Sequence, residues 1–193
     1  MLTVNRGILS FRTLAVLPIV LFVPTLALGL ATDGSPVGES VGVLFHLSIL
    51  FVVSRMNGPM WAKAAGFGWL ALDITTGAML INNVPYDIAW PVRLGGHVLA
   101  GVWTITVSLL CRSTAIRAVG VVSGLWLALY TFFGAVLSNL WLSPQAFLTL
   151  VWFGLLAWKY DPAVDGLDAS QAYGDASQAG GTATPGPAKS ATT

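Results

Sequence analysis

Six runs of mostly apolar residues constrain this chain more than any other feature, at 13–31, 38–55, 62–82, 92–111, 117–138 and 143–159. Each is close to the ~20 residues that a helix needs to cross a bilayer's ~30 Å hydrocarbon core. Between them stand turn-forming stretches, "ATDGSPVGES", "MNGP", "NNVPYD", "CRST" and "LSPQ". Hydrocarbon offers no water to an unpaired amide, so segments of this kind fold as α-helices. Charged residues make up 9% of the 193, against about 25% in soluble domains. The expected fold is an all-α integral membrane protein, a six-transmembrane-helix bundle over 13–160, preceded by a short segment at 1–12.

The loop charges set a direction. With the N-terminus inside, Arg6, Arg12, Arg55, Lys63, Arg112, Arg117, Lys159 and Lys189 collect on the cytoplasmic side. The opposite side holds Arg93 with Asp33, Glu39 and Asp87. Such a bias places both termini in the cytoplasm. Trp61, Trp90, Trp141, Trp158 and Tyr160 fall near the expected interfaces, where amphipathic rings are favoured. Little lysine with abundant Ala, Gly and Val suits a GC-rich bacterial genome and hence a plasma membrane. A rival reading of the first run, from Arg6, Arg12 and "GLA" before "TDGS", is a cleaved signal peptide, although the run is long for one.

Several classes are disfavoured. A net charge of +1 without a basic stripe argues against a nucleic-acid partner. The single cysteine, Cys111, can form no intrachain disulfide or Cys-rich metal site. It reads as a small apolar filler near a helix end, with acylation as the alternative. From 161 to 193 the chain turns to Ala, Gly, Ser, Thr, Pro and Asp, and "DASQAYG" (168–174) is followed directly by "DASQAGG" (175–181). Too little of this can be buried to offset ordering, so a disordered cytoplasmic tail is expected, with peptide binding as the alternative.

An internal echo stands out. "WLALDITTGAMLIN" (69–82) matches "WLALYTFFGAVLSN" (126–139) at eight of fourteen positions, and Arg55 and Arg112 share the same offset. Either helices 2–3 and 4–5 are parallel hairpin repeats, or two apolar helices drew by chance on few residue types. Tyr130 stands where Asp73 does.

Asp73 poses the functional question, because an aspartate facing lipid at the bilayer centre costs about 2.5–3.5 kcal/mol even on a lenient scale. It falls near the middle of helix 3, His46 near the middle of helix 2, and Tyr130 centrally in helix 5. His97 falls about 6 Å outward of the centre of helix 4. Residues three or four apart share a face. Helix 2 then aligns Glu39, Gly42 and His46; helix 3 aligns Gly66, Trp69, Asp73, Thr76 and Gly77; helix 4 aligns Arg93, His97, Ala100, Thr104 and Ser108. Turning these faces to a common interior satisfies all three.

The candidate substrate-binding residues are Asp73, His97, His46, Thr76 and Tyr130, with Glu39 and Arg93 at an outer mouth. Intramembrane acids mark ion, proton or substrate sites by default, and histidine adds a group that titrates near neutral pH. Binding or transport of a small solute or proton is therefore expected, and a homodimer or larger membrane complex would supply more wall. One alternative is an accessory subunit whose polar groups only lock packing. Another is a lipid-modifying enzyme using Asp73 and His97 as an acid–base couple, although HExxH, GxSxG and a phosphate-cradling loop are missing from the sequence. The last is a redox subunit with haem between His46 and His97; otherwise no cofactor is expected.

Overall fold

The computed structural model describes residues 9–31, 35–134 and 136–165. Arg6, Asp33, Lys189 and the duplicated heptapeptide lie outside the described residues. Serine and proline mark the helix starts. The Ser35 hydroxyl accepts the Gly38 amide at 3.1 Å and Pro36 follows it, opening α2 (Pro36–Arg55). Pro59 and Pro85 precede α3 (Met60–Ile81) and α4 (Tyr86–Leu109). The other helices are α1 (Phe11–Ala31), α5 (Thr114–Phe133) and α6 (Ser143–Lys159), with a 3-10 turn at Asn139–Leu142 before the last. The first five are long and apolar enough to cross a membrane, as a multi-pass membrane protein requires. The sixth has 17 residues.

Each helix packs against its neighbours in sequence, and α1 closes the circuit against α6. Among the described residues no other pair of helix backbones comes close, although side chains bridge α2 to α4 and α4 to α6 across the interior. The result is a ring with an interior. Small residues let the walls approach: a Cβ on Gly101 would meet the Gly124 carbonyl at 2.6 Å, and one on Gly77 would meet Val43 Cγ2 at 2.5 Å. The outer surface carries exposed Val20, Leu44, Phe51, Leu129 and Phe132, as a lipid-facing wall requires.

One end of the ring is knotted by polar contacts. Asp165 accepts the Arg112 amide on Oδ1 and the Asp161 amide on Oδ2, both at 2.8 Å. Asn57 Nδ2 donates to the Pro162 and Asp165 carbonyls, while the Asn57 amide donates to the Tyr160 hydroxyl at 2.9 Å. Arg12 Nε reaches the Ala157 carbonyl at 3.0 Å. These bonds draw together the start of α1, the α2–α3 and α4–α5 loops and the end of α6.

Four expectations change. Helix 4 starts at Tyr86, not 92, so Asp87 sits in its first turn and Pro91 lies inside the helix. Pro91 is the sixth residue of α4, past the first turn, so the helix continues through it without the bond that an amide there would give to the Asp87 carbonyl. Helix 5 stops at Phe133, not 138, because the chain folds back until the Trp126 indole donates to the Trp141 carbonyl at 2.8 Å. Tyr160 is a buried member of the knot rather than an interfacial ring. Residues Asp161–Asp165 pack onto the bundle through that knot, so the domain extends past 160.

Cys111 lies in the same region, 1% exposed, its thiol donating to the Val107 carbonyl. Burial, with the Asp165 carboxylate adding to it, pushes the thiol from 9.0 to about 12; burial likewise raises the Tyr160 phenol from 10.0 to about 12. Both groups hold their protons more tightly when folded. Their contribution to stability is complete below the ordinary values and is lost as pH climbs through about 12. The melting temperature is therefore expected to fall as pH rises above 9.0. At neutral pH, N-ethylmaleimide should leave the folded protein unlabelled and modify one thiol after denaturation. Rapid labelling of the folded chain would refute the burial of Cys111, and would reopen acylation there.

Candidate functional site

The ring encloses a cavity of ≈ 270 Å³ to which all six helices contribute. The sequence places its charged and titratable groups by helical spacing. On α2, Glu39, Gly42 and His46 follow one another at three and four residues and line the same wall. On α3, Trp69 and Asp73 are four apart and both buried. Arg93, His97 and Thr104 line the wall from α4.

The centre of the site is Asp73, 2% exposed. Its Oδ2 accepts the Trp69 indole N–H at 2.7 Å and meets His46 Nε2 at 2.9 Å. The opposite nitrogen, His46 Nδ1, lies 2.8 Å from the Gly42 carbonyl one turn back. A carbonyl only accepts, so Nδ1 carries a hydrogen and one exchangeable proton is left between Nε2 and Oδ2. With both ring nitrogens engaged, ligation of a haem iron by His46 would require one of these contacts to break. Asp73 Oδ1 has no partner among the described residues. It lies against Gly96, where a Cβ would come within 2.8 Å of it.

The depths bear on function. The midpoint of α2 falls beside His46, and that of α4 falls beside His97 rather than 6 Å from it, because α4 begins earlier than expected. Asp73 is about 4 Å beyond the midpoint of α3. Glu39, in the first turn of α2, forms an ion pair at 2.9 Å with Arg93, one turn before His97 on α4, on the side of the cavity away from the knot.

The structure brings together Asp73, His46, His97, Glu39 and Arg93 around one cavity. It does not bring Thr76 or Tyr130 there. The Thr76 hydroxyl donates to the Leu72 carbonyl of its own helix at 2.9 Å, and the residue is fully buried. Tyr130 faces an outer apolar groove with Trp126, Phe133 and Trp141. Of the two histidines, His46 is the partner of the acid; His97 Nδ1 is buried without a partner among the described residues. Trp69 as a donor to Asp73 escaped the sequence reading, although an indole four residues from an acid on one face is a legible signal. The contributions of α6, Gln145, Thr149 and Trp152, had no such signal, since ring closure alone brings them to the cavity. Among the described residues no group of three or more His, Cys, Asp and Glu is placed to hold a metal ion. Comparison with protein-family models, curated proteins and solved structures returns no match.

Proposed function

We propose that this chain spans the bacterial plasma membrane six times, with both termini in the cytoplasm, and binds a small solute in its central cavity for transfer across the membrane. The proton between His46 and Asp73 is coupled to that step. The observation that carries this reading is the closed ring around a cavity whose acid and histidines lie near the middle of their helices. Glu39 and Arg93 form the outer mouth. Unpaired buried polar atoms support binding over mere packing: Asp73 Oδ1, Arg93 Nε, His97 Nδ1 and Trp103 Nε1 all belong to wall residues and have no partner among the described residues. Each such group costs about 1–3 kcal/mol, which a seam built only to lock helices would avoid.

An ancestral duplication of the α2–α3 hairpin is a further part of this reading. Leu70 and Leu127, and Asp73 and Tyr130, are buried at matched positions. The match ends in different structures, since 77–81 is helical and its counterpart begins at the end of α5.

Asp73→Asn tests the proposal, because an amide still accepts the Trp69 indole and keeps the shape of the side chain. The D73N chain is expected to reach the membrane at wild-type abundance and to fail to complement a deletion strain. Full complementation, or loss of the protein from the membrane, would return the acid to a structural role.

A further inference from the structure

We propose that the cavity takes an uncharged, planar molecule bearing a hydrogen-bond donor and acceptor side by side, as an aromatic carboxamide does. This deepens the solute-binding reading and rests on it. The shape of the ligand follows from the walls. A continuous series of ring contacts passes from α1 to α6: Phe22 stacks on Phe45 with centroids 4.6 Å apart, and His46 meets Trp69 at 5.9 Å. Trp69 then meets Trp103 at 5.7 Å, and Trp103 meets Trp152 at 5.5 Å. Flat aromatic walls recruit a flat ligand by stacking and edge contacts. The volume, ≈ 270 Å³, lies just below the range of about 300–1,000 Å³ common for small-molecule pockets.

The charge of the ligand follows from the ion pairs. Glu39 is countered by Arg93, and the Asp73 carboxyl is engaged by His46, each at 2.9 Å. Among the described wall residues a charged ligand would have to displace one of these partners or recruit a proton to His97, whereas an uncharged one needs neither. The hydrogen-bonding pattern agrees. Trp103 Nε1 and Arg93 Nε are donors without an acceptor, and Asp73 Oδ1 is an acceptor without a donor. An anion would serve the first two and be repelled by the third; a cation would do the reverse. A zwitterion would need two free counter-charges. An uncharged donor–acceptor molecule serves all three, and the fourth unpaired atom, His97 Nδ1, donates or accepts according to its tautomer.

The test uses the full chain in nanodiscs and quenching of its tryptophan emission by four probes: nicotinamide, benzyltrimethylammonium, benzoate and phenylalanine. Nicotinamide should quench saturably and the three charged probes should not. Trp103→Phe, which keeps the ring and removes the N–H, should weaken nicotinamide by about tenfold, the loss expected for one hydrogen bond. Saturable binding of a charged probe, or none of nicotinamide, would overturn the ligand class. The solute-binding reading would survive either result, since it stands or falls on complementation by D73N. Unchanged affinity in W103F would remove the indole from the site, and the wild-type panel decides the class even if that variant folds poorly.

Discussion

Gly120→Ala is expected to lower the melting temperature more than a methyl added at any other described glycine. The new Cβ would lie 1.9 Å from Ser108 Oγ and 2.6 Å from Trp152 Nε1. Those two atoms are themselves hydrogen-bonded at 2.9 Å, joining α4 to α6 across α5. Neither can move far, because Ser108 and Trp152 are both buried. Overpacking of this kind costs about 1–3 kcal/mol, and a stranded indole adds about 1–3 kcal/mol more. Gly154→Ala is the control, since nothing lies within 4 Å of its Cβ. Thermal melts of the two variants in the same detergent should separate clearly. Equal shifts would mean that the α4–α5–α6 junction is not packed as described.

A second large effect is expected at the buried pair. Asp73→Ala strands the Trp69 indole and His46 Nε2 together, and breaking one side of a buried charged pair costs about 3–5 kcal/mol. His46→Ala leaves the more deeply buried carboxyl with only its indole bond and should cost a comparable amount. Because the two side chains touch, the double variant should be less destabilised than the sum of the singles, by about 0.5–3 kcal/mol. Simple additivity in unfolding measurements would mean that the 2.9 Å contact contributes nothing.

Much of this arrangement is legible in the sequence because hydrocarbon enforces it. The inward faces of α3 and α4 followed from helical spacing plus the cost of an acid in lipid, and Asp73, Thr104 and Ser108 are buried accordingly. What spacing does not supply is the partner across a gap. The enzyme alternative paired Asp73 with His97, yet it is His46, from the inward face of α2, that meets the carboxylate. Helix ends misled where tertiary contacts override local chemistry: Pro91 inside α4, and the turn after Phe133 held by Trp126 and Trp141. Thr76 was placed on the correct face, but its hydroxyl bonds its own backbone, a competition that periodicity does not register. The Asp165 knot lay beyond the last apolar run, in sequence whose composition alone spoke for a tail.

Polar residues of neighbouring helices surround the interior, and the proposed mouth at Glu39 and Arg93 makes it reachable from that end. Two positions on α4 separate this arrangement from its rivals, with Cys111 as a silent background. Thr104 lines the cavity, whereas Val102, two residues earlier, is 38% exposed on the outer surface. Single-cysteine labelling with a small, water-soluble methanethiosulfonate, applied from the mouth side, measures the difference directly. The account predicts that Thr104→Cys reacts and Val102→Cys does not. Reaction at Val102→Cys with silence at Thr104→Cys would contradict it.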